Sequence, residues 1–515
     1  MYLTQGLHRA VQHHPHAVAT VCGARVRTHR ESLDRIARLA AGLRALGIRD
    51  GDRAAILCMN SDRYLECVAG ILWAGGVVVP VNWRWAVAEI GDSLVEVDAR
   101  VLVVDDAFAA QAAGIRALHT RLEHVIHAGD GPGCDGALAF EQLIAEHEPV
   151  GDARRGGGDL AFVCYTGGTT GQAKGVMLSH AGLLTSALGT LATGHLLNED
   201  AVYLHAAPMF HLADLAYWTM QVVRGGRHVI IPMFDPVSVM SAVSEHGITD
   251  LFLVPTMVQL LVDHPRIAEF ELGSVQRLAY AASPMSQGVL DRAMRALPDA
   301  LFTQLYGMTE LSPCATVLSP ADHRHPAHRR ATGRALAHSE VQIVDPDDVE
   351  VPRGEAGEVV VRGAHVMLGY WNRPTETAHA LRGGWMHTGD GGLMDEEGYI
   401  YLTDRIKDMI ITGGENVYSV EVENVLCQHP AVATAAVIGV PDDVWGERVH
   451  AVVVPVAGRT ITLDELMSFC KERTAGYKTP RSLDLVDELP LSPAGKVLKR
   501  ELRRPYWEGH ARAVH

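Results

Sequence analysis

Apolar residues in the first hundred positions recur with two alternating periods. Leu33, Ile36, Leu39, Leu43 and Leu46 follow helical spacing, with Ser32 expected as the N-cap and Gly47 as the stop. An apolar run at 54–57 comes next, then a helical pattern at 63–73, a run at 77–81, a helix near 88–97 and a run at 101–104. Short continuous apolar runs between helical patterns predict a parallel sheet covered by helices. The alternation resumes after residue 200, with strands expected near 228–231, 250–254 and 277–281. The apolar stretch 67–83 is broken by three glycines and a proline, so it reads as a helix and a buried strand rather than a membrane span.

From about residue 331 the pattern shortens. EVQIVD, GEVVVRG, GGWMHTGD and DEEGYIYL predict short strands joined by tight turns, a small β-rich subdomain over about 331–403. After Asp404 and Arg405 a third pattern begins, with a helix at 420–428, strands at 432–440 and 449–455, a helix at 463–473 and a strand near 483–486. The expected organisation is α/β: a large domain over 1–404, then an α+β domain over 405–515, joined by a polar hinge at 404–408.

Composition narrows the function. Of 515 residues, 48% are hydrophobic and 21% charged, as in a globular chain, and 45 Lys and Arg against 61 Asp and Glu leave a net charge of −16. That balance argues against general affinity for nucleic acid or anionic lipid, so a polyanionic ligand must meet a local cluster of donors. Eight scattered cysteines never form a CxxC pair, and the first sixteen residues contain no apolar signal core. Both features predict a reduced, cytoplasmic protein. Among the 27 histidines no HxxxH-type pair sits in a metal-ligand frame.

Five motifs carry chemistry. An apolar strand at 160–165 runs into Thr166, Gly167, Gly168, Thr169, Thr170 and Gly171, then Lys174. Close-set glycines let consecutive N–H groups converge on an anion, and the hydroxyls and lysine add donors. Ala173 stands where a Walker loop needs glycine, so this is a different phosphate loop. The second motif is QLYGMTE, with Tyr306, Gly307, Thr309 and Glu310: an aromatic to stack a base, a hydroxyl for a phosphate and a carboxylate for a hard cation. HTGD follows, ending in Asp390, with Arg405 downstream. The junction carries Arg405, Lys407, Gly413 and Gly414. Near the C-terminus, LSPAGKVLKRELR is centred on Lys496.

In this order and spacing, the five motifs closely resemble those of the adenylate-forming (ANL) superfamily of acyl-CoA synthetases, peptide adenylation domains and firefly luciferase. The resemblance spans essentially the whole chain and is strongest to the fatty-acyl- and aryl-acyl-CoA ligases. It implies that Thr166 to Lys174 hold the β- and γ-phosphates of ATP, Thr309 the α-phosphate and Glu310 the Mg²⁺. It implies that Ala281, Ala282 and Ser283 line the adenine and acyl pocket, that Tyr306 stacks on adenine beside Gly307, and that Asp390 and Arg405 bind ribose. By the same resemblance Lys407 is the hinge, Gly413 and Gly414 line the CoA tunnel, Lys496 drives adenylation, and His211 is an aromatic gate beside the reacting carboxyl.

The expected activity is an ATP-dependent carboxylate–CoA ligase acting through acyl-AMP on a medium- or long-chain fatty acid. A hydroxycinnamate- or benzoate-type acid is the alternative, and a carrier-protein thiol is a rival acceptor. A non-catalytic acyl or nucleotide sensor and a luciferase-type oxygenase are the readings from other classes. The uncharged stretch 215–220 argues against a dicarboxylate. Asp214, three residues after His211, is expected either to support His211 or to help select the acid, with a surface role also open.

Overall fold

The computed structural model describes residues 1–118, 121–166, 173–193, 196–283, 285–405, 408–412, 415–442, 444–491 and 497–508. Among these, nine strands form one sheet in the order Arg334–Ala335, Cys314–Leu318, Leu301–Gly307, Arg277–Tyr280, Asp250–Leu253, Val202–His205, Arg227–Ile230, Val18–Cys22 and Arg25–Thr28. Its middle is parallel and its ends are antiparallel. An eight-stranded sheet contains Val77–Pro80, Arg53–Leu57 and Val101–Val104 as parallel neighbours. Val77–Pro80 and Val101–Val104 are buried at every position, as expected where helices cover both faces. The alternation of the first hundred residues is therefore legible as βα units, with boundaries within one residue or so of expectation.

The first long helix differs in its start. It runs His29–Ala45, with Thr28 rather than Ser32 as its N-cap. The Thr28 hydroxyl accepts the Glu31 N–H at 3.3 Å while the Glu31 carboxylate accepts the Thr28 N–H at 2.8 Å. This reciprocal pair satisfies two orphan donors at once, which Ser32, already inside the first turn, cannot do. The stop is as expected: Gly47 follows the helix with φ +90°.

The β-rich stretch holds a four-stranded antiparallel sheet of Glu340–Val344, Ala356–Arg362, Met386–Met394 and Ile400–Arg405. It is less self-contained than its sequence pattern implies. Arg334–Ala335 completes the edge of the nine-stranded sheet, and Gly369–Tyr370 completes the edge of the eight-stranded one, beside Lys174–Ser179. Two short segments thus cover ladder edges that would otherwise lie open.

Beyond residue 408 a separate five-stranded sheet joins Glu415–Val417, Ile410–Thr412, Gly446–Pro455, Val432–Asp442 and Ser482–Leu485. Helices Ser419–Leu426 and Leu463–Lys471 pack on it through Val422, Leu426, Leu466 and Cys470. All eight cysteines are free thiols. Among the described residues no helix is long and apolar enough to cross a membrane.

The cap assignment is testable by stability. Thr28→Ala should destabilise the protein by about 1 kcal/mol. Ser32→Ala should be neutral, since the buried Ser32 hydroxyl has no hydrogen-bond partner among the described residues. Urea titration of both variants checks this, and equal losses would contradict it.

Candidate active site

His211, the Ala281 strip and the QLYGMTE motif follow three strands of one parallel run, which end on the same side of the sheet. Val202–His205, Arg277–Tyr280 and Leu301–Gly307 belong to one parallel run, and crevices outside such carboxyl ends are where α/β sheets hold ligands. His211 follows the first as the N-cap of helix Leu212–Arg224. Ala281, Ala282 and Ser283 follow the second and are half-buried. Ala282 adopts φ +78°, a left-handed conformation that costs a non-glycine residue about 1 kcal/mol. Gly307 closes the third strand and leads into the single turn Thr309–Leu311 that carries Thr309 and Glu310. A side chain at Gly307 would bring its Cβ within 2.0 Å of the Pro313 carbonyl oxygen, so the turn can fold back only over glycine.

Lys174 comes from the other sheet. Strands Leu160–Thr166 and Lys174–Ser179 form a hairpin in which Thr166 pairs with Lys174. Gly167, Gly168, Thr169, Thr170 and Gly171 lie outside the described residues, as do Lys407, Gly413, Gly414 and Lys496. The Thr166–Lys174 end of the hairpin is tied down through Glu96, whose carboxylate accepts the Tyr165 hydroxyl at 2.9 Å and Arg373 at 3.1 Å. The Trp371 indole N–H donates to the Glu96 carbonyl at 2.9 Å. Burial first, and the Glu96 carboxylate second, push the Tyr165 phenol well above its ordinary range, so it stays a donor.

Glu310 is 5% exposed. Its Oε1 accepts the Tyr370 hydroxyl at 2.9 Å, and its carbonyl accepts the Met367 N–H at 2.8 Å. The Lys174 ammonium lies 5.0 Å from the centre of the Tyr370 ring, within cation–π range. Tyr370 was not among the expected site residues; its only sequence signal is an aromatic pair after Gly369. On the four-stranded sheet, Asp390 and Arg405 are direct cross-strand partners. The Tyr306 hydroxyl donates to Asp390 Oδ2 at 2.8 Å, which joins the QLYGMTE and HTGD motifs directly.

Asp214 departs from expectation. It is fully buried, and its side chain serves neither His211 nor a surface role. Oδ1 accepts the Tyr203 hydroxyl at 3.1 Å and Oδ2 lies 2.6 Å from His205 Nδ1, while His205 Nε2 lies 2.9 Å from His228 Nδ1. The i,i+3 spacing from His211 suggested contact, but the first turn directs Asp214 back onto the sheet, where His205 waits on the preceding strand. Burial pushes the His228 pKa well below its ordinary value, so that ring stays neutral. The carboxylate thus clamps the helix capped by His211 against the sheet. Asp214→Ala would leave His205 and Tyr203 buried without their partner and should cost about 3 kcal/mol of stability. A urea titration showing a loss below about 1 kcal/mol, the net worth of an ordinary hydrogen bond, would contradict the clamp.

The AMP-binding enzyme family model matches residues 7–371, and the AMP-binding enzyme C-terminal domain model matches residues 421–496. The chain is 41% identical over 495 residues to a feruloyl-CoA synthase of Amycolatopsis sp, covering 96% of each chain. It is 33% identical over 509 residues to the fatty acid–[acyl-carrier-protein] ligase ScoC of Streptomyces coeruleorubidus, covering 98% of this chain and 96% of the relative. Among solved structures it matches the anthranilate CoA ligase AuaEII in complex with anthranoyl-AMP, with a TM-score of 0.91 and 25% identity over 99% of this chain and 98% of that one. The chain belongs to the AMP-binding enzyme family, as an AMP-forming acid–thiol ligase of the acyl-CoA synthetase branch.

Proposed function

We propose that this ligase activates an aryl-propenoic acid of the hydroxycinnamate class and passes the acyl group to CoA. The observation that carries this is the aromatic cluster packed against the Ala281 strip. Tyr217 stacks on Tyr203 with ring centres 4.7 Å apart and planes 7° apart, and lies 5.2 Å from Phe252. All three rings pack with Ala279 and Leu305, and Ala281 rests on the same cluster. A rigid layer of stacked rings behind the strip suits a flat acyl group better than a flexible alkyl chain. The Tyr217 hydroxyl is buried behind the strip with no hydrogen-bond partner among the described residues, and a phenolic substituent that reached it would satisfy that donor. The feruloyl-CoA synthase relative supports the same class. ScoC keeps the fatty acid and the carrier-protein thiol in view as the second reading.

In this reading the chemistry joins two anions. The substrate carboxylate attacks the α-phosphorus of ATP in line and expels pyrophosphate, and a thiolate then displaces AMP from the acyl-AMP. The loop from Thr166 through Gly167, Gly168, Thr169, Thr170 and Gly171 to Lys174 cradles the β- and γ-phosphates. Thr309 holds the α-phosphate, and Tyr306, Asp390 and Arg405 hold the nucleoside. His211 borders the reacting carboxyl, and Lys496 offsets the charge that develops at the α-phosphate. Among the described residues no group of three or more His, Cys, Asp or Glu forms a ready metal site. Glu310 offers one carboxylate, which suits an ion that takes most of its ligands from phosphate and water, as Mg²⁺ does. When bound, Mg²⁺ neutralises charge on the triphosphate. We place the hinge at 404–408, so that the segment beyond Lys407 presents Lys496 for adenylation and Gly413 and Gly414 for thioester formation.

The test is AMP release with CoA over a panel of acids. 4-Hydroxycinnamate should exceed octanoate in kcat/KM by about tenfold, corresponding to ~1.4 kcal/mol of ring packing. Tyr217→Phe should retain cinnamate turnover while eroding the preference for its 4-hydroxy analogue by about fivefold, the worth of one neutral hydrogen bond. Octanoate or a longer alkanoate outperforming every aryl acid would return the assignment to fatty acids.

A further inference from the structure

We infer that Tyr370 is a positioning residue that couples the phosphate hairpin to the Glu310 turn, so that metal and triphosphate are gripped by one connected unit. The inference rests on the ATP-binding reading above and adds a residue and a role to it. Tyr370 stands where the two meet. Its backbone pairs with Val176 of the hairpin, and three residues earlier Met367 donates its N–H to the Glu310 carbonyl. Its hydroxyl donates to Glu310 Oε1 at 2.9 Å, and its ring lies beneath the Lys174 ammonium at 5.0 Å. One side chain therefore touches the carboxylate on one side of the site and the cation on the other.

The two contacts are separable. The hydroxyl fixes the plane of the Glu310 carboxylate, while the ring face fixes the height of Lys174. Tyr370 is 8% exposed, so solvent cannot readily replace the bond it makes. Removing the hydroxyl should loosen the carboxylate and weaken metal binding while leaving Lys174 in place. Removing the ring should weaken triphosphate binding even without metal.

The experiment titrates Mn²⁺ by electron paramagnetic resonance into full-length protein holding α,β-methylene-ATP, for wild type, Tyr370→Phe and Tyr370→Leu. Affinity for the analogue without metal is measured by calorimetry. Tyr370→Phe should bind Mn²⁺ about tenfold more weakly, as expected for loss of a hydrogen bond to a metal-associated carboxylate. Its metal-free analogue affinity should be unchanged, and raised Mg²⁺ should restore its kcat. Tyr370→Leu should in addition lose affinity for the analogue without metal. Thermal melts check that both variants fold, and Tyr370→Phe keeps the ring that fills the core. Wild-type Mn²⁺ affinity in Tyr370→Phe, or a kcat loss that raised Mg²⁺ does not recover, would overturn the coupling. Wild-type protein that binds neither the analogue nor Mn²⁺ would overturn the ATP-binding reading itself.

Discussion

Charge is the constraint on which the rest depends. Joining a carboxylate to the α-phosphate of ATP brings like charges into contact, and this chain carries a net charge of −16 of its own. Long-range attraction cannot hold the nucleotide, so the donors must be local and held at fixed distances. In the proposed reading, much of the architecture serves that requirement. Parallel strands of the nine-stranded sheet deliver the Ala281 strip and the Thr309–Leu311 turn to one edge, and the Leu160–Thr166 hairpin brings Lys174 from the other sheet. The segment around Gly369–Tyr370 ties hairpin and turn together through backbone pairing and the Tyr370 side chain.

Rigidity recurs one layer further out. Glu96 gathers Tyr165, Trp371 and Arg373 at the Thr166–Lys174 end of the hairpin, and Asp214 gathers Tyr203 and His205 beneath the helix that His211 caps. Both are buried or half-buried carboxylates whose oxygens meet named donors, so burial does not leave an uncompensated charge. They act on the proposed site by holding the elements that bear its residues. Loss of either should disturb geometry without removing a group that meets the nucleotide.

Local chemistry was legible in the sequence, and contacts across the fold were not. The strands at 77–81 and 101–104 were readable because burial on both faces leaves an unbroken apolar run. Asp390 and Arg405 could be paired only by resemblance, yet they prove to be cross-strand neighbours. The helix start was misplaced because Ser32 and Thr28 are both good capping residues, and only the reciprocal bond with Glu31 distinguishes them. Asp214 was misjudged because helical spacing put it beside His211, whereas its partner His205 lies on a strand. Tyr370 was missed for the same reason: sixty positions separate it from Glu310, and no local pattern announces the bond.

The central claim is that these groups together activate an organic carboxylate as its adenylate before any thiol takes part. Isotope exchange between pyrophosphate and ATP, measured without CoA, tests it most directly. Exchange should require Mg²⁺ and a carboxylic acid and rise with acid concentration to saturation. Exchange that proceeds without an acid, or only once CoA is added, would contradict the account.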